Sequence, residues 1–183
     1  MKRIARVSML IAAAALWSVS MSVRAQEMPG EWGPLESLLG EWVGEGGGQP
    51  GQGEGGFSFQ PDLQKHILVR KNYAVYPAAN GRPAFRHDDL MIVYRELESA
   101  APKAIYFDSE GHVIHYSVSV SSDQKTFEFV SEMLPASPRY RFTYTKTGND
   151  TLAIKFEIAP PGKPDAFATY IEAKAKRKRD SQK

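Results

Sequence analysis

The stretch "LLGEWVGEGGGQPGQGEGGFSF", Leu38 to Phe59, decides how this chain is read. Nine of its fifteen glycines lie between Gly40 and Gly56. Gly46, Gly48 and Gly51 form G-x-G-x-x-G, the spacing of a dinucleotide-binding loop. That loop works only between a strand and a helix, where the helix N-terminus meets the phosphates. Here Pro50 interrupts the pattern, Phe57 and Phe59 alternate as in a strand, and no βαβ unit follows. A phosphate loop is therefore excluded. The glycines read instead as a connection between the first two strands, at a cavity mouth.

To the right of this stretch, period-two alternation recurs between turn residues, the signature of strands with one apolar face. The runs are "HILVRKNYAVY" (66–76), "RHDDLMIVYRE" (86–96), "AIYFD" (104–108), "HVIHYSVSV" (112–120), "TFEFVSEM" (126–133), "YRFTYTK" (140–146), "TLAIKFEIA" (151–159) and "FATYIEAKA" (167–175). With the strands flanking the glycines this makes about ten antiparallel strands and no long helix. The expected fold is all-β: an antiparallel up-and-down barrel with a short helical turn at "PLESLL" (34–39). Closure removes the unpaired edges that ten open strands would leave. A two-sheet sandwich is the structural alternative.

To the left, the helical turn followed by Gly40-Glu41-Trp42 resembles the G-x-W opening of lipocalin-like, or calycin, barrels. The resemblance implies that the turn caps one end and that Trp42 packs across the floor as a barrel-closing residue. It also implies a basic residue of the last strand over the ring: Lys174, Lys176 or Arg177. The longer "LLGEWVGEGGG" is similar to the start of the nitrobindin-like branch of ten-stranded haem-binding barrels. That branch ligates iron through a histidine near the C-terminal end of the barrel. The histidines here are His66, His87, His112 and His115, so haem ligation is not carried over and no cofactor is expected.

Bulk composition narrows the setting. Lys2, Arg3 and Arg6 precede an apolar stretch that ends at Val23-Arg24-Ala25, which reads as a cleaved export signal over residues 1–25. A periplasmic or secreted location is expected, with no stable membrane insertion after cleavage. Four of the 23 basic and none of the 21 acidic residues lie in that segment, which leaves a net −2. Six basic and two acidic residues lie from Ile171 onward, so residues 26–170 carry −6. No nucleic-acid surface is expected on the body at that charge. There is no cysteine, hence no disulfide, thiolate metal site or lipoprotein anchor. The domain expectation is one barrel over 26–175 and a basic, solvated tail over 176–183.

Candidate chemistry is sparse. In "GHVIHY", His112 shares strand parity with Ile114, Tyr116, Val118 and Val120, while His115 has the opposite parity, so the two cannot clasp one ion. "FRHDDLMIVY" allows two registers: Arg86 and Asp88 inward with Leu90, Ile92 and Tyr94, or His87 and Asp89 inward with Met91 and Val93. Arg70 shares a face with His66, Leu68, Asn72 and Tyr76, suiting it to clamp a polar ligand group. The expected function is binding of a small apolar or amphipathic molecule inside the barrel. Arg70, Tyr116 and His112 would orient it, and Phe127, Phe129, Phe142 and Tyr144 would line the cavity. The alternatives are a hydrolase or isomerase using Asp88 or His112 as acid or base, and a filled barrel serving as a structural or interaction protein.

Overall fold

The computed structural model describes residues 32–45, 54–78, 81, 83–99 and 101–179. The expected export signal and the centre of the glycine-rich stretch lie outside these residues. A 3-10 turn, Gly33–Leu38, leads into ten strands. They are β1 (Gly40–Glu45), β2 (Glu54–Asp62), β3 (Ile67–Tyr76), β4 (Phe85–Arg95) and β5 (Pro102–Asp108), then β6 (Val113–Val120), β7 (Thr126–Ser131), β8 (Arg139–Lys146), β9 (Thr151–Ala159) and β10 (Ala168–Arg177).

Each strand pairs antiparallel with its sequence neighbour, and β1 pairs with β10 to close the barrel. The sandwich alternative is thereby set aside. Closure needs close backbone approach at the β1–β2–β3 junction. A Cβ at Gly55 would run into the Tyr73 carbonyl oxygen, so the end of the glycine-rich stretch fits strands that a larger residue would hold apart.

The end from which β1 starts is sealed. Leu35 and Leu38 of the 3-10 turn are buried with Trp42, Phe57, Phe59, Leu68, Val93, Phe127 and Leu152. The Trp42 indole N–H donates to the Leu38 carbonyl at 2.8 Å, which satisfies the ring's one polar atom inside the core. Arg177 is the basic residue above that ring, with its guanidinium carbon 4.2 Å from the ring centroid. It donates to the carbonyls of Leu39 and, at 2.9 Å, Ser37. Gly40 has φ +108, and a Cβ there would lie 2.8 Å from the Arg177 guanidinium. The backbone conformation here favours glycine, and a Cβ would push the Arg177 guanidinium aside. A second tryptophan extends the seal: Trp32 donates from Nε1 to the Lys65 carbonyl at 3.0 Å and lies beneath Arg95.

Several boundaries differ from the sequence expectation. Lys176 and Arg177, grouped by composition with the tail, are the last residues of β10 and pair with Val43 and Trp42. Met133, the last residue of the expected strand 126–133, lies beyond the end of β7 at Ser131 and is exposed. His66 belongs to the turn before β3 and is exposed. In each case the hydrogen-bonded ladder, not side-chain alternation, sets where the strand stops.

Candidate functional site

The inner face changes character along the barrel axis. In the sealed half, Phe59, Leu68, Met91, Val93, Phe127, Phe129, Tyr144 and Leu152 are all at most 1% exposed. Towards the other end, inward-parity residues reach solvent: Asn72, Tyr106, Ile114, Tyr140, Phe142, Ile154 and Phe156 are half-buried. These inward side chains are thus partly accessible from that end.

One side of this open half is polar. On β3, Leu68, Arg70 and Asn72 alternate inward, and Asn72 pairs across to Asp89 on β4. The Asp89 carboxylate accepts from Arg70, from Asn72 Nδ2 at 2.7 Å, and lies 3.4 Å from His87 Nε2. His87 Nε2 is 3.1 Å from the Tyr106 hydroxyl on β5, and its Nδ1 is 3.0 Å from Glu110. The Tyr106 hydroxyl donates to Asp108 at 3.4 Å. Asp108 Oδ1 accepts the backbone N–H groups of Glu110 and His112, each at 2.9 Å, and Oδ2 meets His112 Nδ1 at 2.8 Å. A continuous chain, Arg70–Asp89–His87–Tyr106–Asp108–His112, thus runs from the barrel's middle to its rim.

The electrostatics follow from these partners. Burial opposes the Arg70 charge, but the adjacent Asp89 carboxylate and the Tyr144 and Tyr106 hydroxyls together outweigh it and hold the guanidinium pKa above its ordinary value. Burial likewise opposes the Asp89 charge, and Arg70, His87 and Asn72 together bring its carboxyl below the usual range. Hydrogen bonding to Asp89, with Glu110 on the other nitrogen, pushes His87 up to about 9 despite partial burial. With its pKa so raised, His87 is an imidazolium at neutral pH, and both nitrogens can donate, Nδ1 to Glu110 and Nε2 towards Asp89 and the Tyr106 hydroxyl. Burial and the nearby Asp89 push the Tyr106 hydroxyl upward, so it stays protonated and donates to Asp108. Arg70 also lies 5.3 to 6.0 Å from the rings of Phe57, Phe142 and Tyr144, whose faces solvate the guanidinium where water does not. The Arg70 Nε and the Tyr144 hydroxyl are buried without a hydrogen-bond partner among the described residues.

The facing wall is aromatic. Tyr140 and Phe156 stack with centroids 5.9 Å apart and an interplanar angle of 8°. Phe142 packs against Phe156 at 6.0 Å, and Tyr170 meets Phe156 edge-on at 6.3 Å. A polar wall facing an aromatic one can hold a molecule with a polar end and an apolar body.

The expected ligand residues divide accordingly. Arg70 is inward and central. Phe142 is inward and half-buried. Tyr116 is inward but only 3% exposed, at the boundary of the packed half. His112 stands on the rim, its side chain 55% exposed and tied to Asp108. Phe127, Phe129 and Tyr144, expected to line the cavity, are instead packing residues of the sealed core. The acid–base role considered for Asp88 does not fit: it faces outward, half-exposed, in an ion pair with Arg86 at 2.7 Å.

The second of the two β4 registers is the one observed. From the sequence His87 and Asp89 stood only as one of two open registers, because Leu90, Ile92 and Tyr94 are as apolar as Met91 and Val93, and nothing pointed to Tyr106. An inward Arg70 was the available signal, since a buried guanidinium needs an inward carboxylate. Among the described residues, no cluster of three or more histidine or acidic side chains could hold a metal ion. No model of a known protein family matches the chain, and no curated protein is significantly similar to it.

Proposed function

We propose that the protein binds a small amphipathic molecule in the open half of its barrel. The observation that carries this reading is the half-exposed inner face, with the Arg70–Asp89–His87–Tyr106 chain opposite Tyr140, Phe142 and Phe156. The polar end of the ligand would meet Asn72, His87 and Tyr106, and its apolar body would lie on the aromatic wall. The buried guanidinium holds the polar wall in place and is not itself the contact, since it is only 4% exposed.

The G-x-W closure, with Arg177 above Trp42, supports a place for the chain among calycin-like barrels. The resemblance to the nitrobindin-like branch extends to strand number, and the C-terminal haem-ligating histidine has no counterpart here. Export through cleavage of residues 1–25 would put the binder in a periplasm or outside the cell.

Native mass spectrometry of the protein purified from its source is expected to reveal a retained small molecule. In parallel, titration with the fluorescent probe 8-anilinonaphthalene-1-sulfonate should be weakened about tenfold or more by Phe142→Ala with Phe156→Ala, an effect the size of losing one to two kcal/mol of contact. The outer-face Tyr73→Ala should leave it unchanged. A protein that carries nothing and binds the probe equally in all three forms is not a binder of this kind.

A further inference from the structure

The last strand breaks the two-residue alternation at one point. On β10, Ala175, Ala173 and Ile171 pair with the inward Leu152, Ile154 and Phe156 of β9. Strict alternation would therefore put Tyr170 on the outer face, with the exposed Glu172 and Lys174. The ladder slips here: Thr169 pairs with Glu157 and Ile171 with Phe156, so Tyr170 is one residue too many. Such a bulge sets two residues against one across the pair and re-aims a side chain. The Tyr170 ring meets Phe156, an inner-face ring, edge-on at 6.3 Å, which places it on the inner side at the open end.

The backbone leading into the bulge is pinned from the outer face. Phe167 lies under the Arg141 guanidinium carbon at 4.3 Å, and Arg141 donates to Glu157 at 2.6 Å. Arg139 donates to the Pro164 carbonyl at 3.5 Å and to Asp165 at 3.1 Å. The Tyr170 side chain is not held in this way. It is 63% exposed, and Phe156 is its one ring contact among the described residues. A fixed backbone thus carries a ring with most of its apolar area unused, beside the half-buried Tyr140, Phe142 and Phe156.

We propose that Tyr170 makes this site selective for ligands whose apolar body is a planar aromatic ring system, over which its ring closes. The inference rests on the reading of the open half as an amphipathic-ligand site, and it adds the class of the apolar body. Aromatic rings gain from offset or edge-on contacts at centroid distances of about 4.5–7 Å, beyond the area they bury. The rings here already sit at such spacings from one another, 5.9 to 6.3 Å around Phe156. A planar body continues that arrangement and gives Tyr170 a second ring partner. A saturated chain covers the same area without the ring-to-ring gain.

The test compares two probes with the same sulfonate head: planar 8-anilinonaphthalene-1-sulfonate, and decane-1-sulfonate as its competitor. Wild-type protein should bind the planar probe more tightly. Tyr170→Leu keeps an apolar side chain but no ring, and should weaken the planar probe about three- to tenfold while narrowing its advantage over decane-1-sulfonate. Tyr170→Phe should retain the wild-type preference. Melting temperatures matching the wild type check that both variants fold. The planar probe should also protect Tyr170 from nitration by tetranitromethane, read by peptide mass spectrometry, and leave the exposed outer-face Tyr73 reactive. Wild-type protein that binds neither probe overturns the reading of the site, and this inference with it. Planar-probe binding that Tyr170→Leu leaves unchanged, an equal loss for both probes, or nitration of Tyr170 that the bound probe does not slow overturns this inference alone.

Discussion

At the scale of single residues, Arg70 and Arg177 are each held by a different balance. Arg70 is buried against Asp89, so removing one partner leaves an uncompensated charge inside the protein. Arg70→Met is expected to cost about 3–5 kcal/mol of unfolding free energy, and Arg70→Met with Asp89→Leu much less, since the double change leaves neither charge behind. Chemical denaturation of the two variants measures the difference. His87 adds a pH dependence whose sign follows from its raised pKa. Its imidazolium stabilises the fold fully below the unfolded value of about 6.5, and that contribution is lost as pH rises through about 9. An NMR titration should place the His87 midpoint near 9, and His87→Gln should flatten the loss of stability between neutral pH and pH 10. Asp89 works in the opposite direction: its depressed pKa gives stability above the usual carboxyl range that disappears as acid protonates it.

At the scale of elements, the junction of β1 with β10 is where closure is decided. Arg177 joins the last strand to the first through the Trp42 ring and the carbonyls of Leu39 and Ser37. Truncation after Ala175 should therefore lower stability by about 2–4 kcal/mol, the combined loss of a cation–π contact and buried hydrogen bonds. Truncation after Arg179 should change the melting temperature little. Gly40→Ala tests the same junction from the other side, because φ +108 strains a side chain and a Cβ would displace the guanidinium. It should cost about 1–3 kcal/mol, read from thermal melts. Strand content, strand order and the G-x-W cap were legible in the sequence, because alternation and turn residues are local signals. The identity of the basic residue above Trp42 was not, because Lys174, Lys176 and Arg177 differ only in register. The bulge between Thr169 and Ile171 shifts that register within β10.

At the scale of the whole molecule, the barrel is a packed lower half beneath an open upper half. Substitutions in the two halves should part company. Phe129→Ala, fully buried, should cost about 3–5 kcal/mol through transfer and cavity terms. Phe156→Ala, half-buried on the open wall, should cost clearly less while weakening probe binding. Calorimetry set beside the fluorescence titration separates the two outcomes. The amino-acid sequence by itself determined an all-β chain of ten hairpin-spaced strands and an anchoring Trp42, since each rests on the spacing of neighbours along the chain. It also placed Arg70 inward. Only the tertiary structure decided which aromatic residues fill the core and which remain open to solvent. Inward parity is the same for Phe127 and Phe142, and only their depth along the barrel axis distinguishes them. The structure likewise chose Asp89 and His87 over Arg86 and Asp88, because both faces of β4 are equally apolar and only pairing with β3 brings a carboxylate to the buried guanidinium.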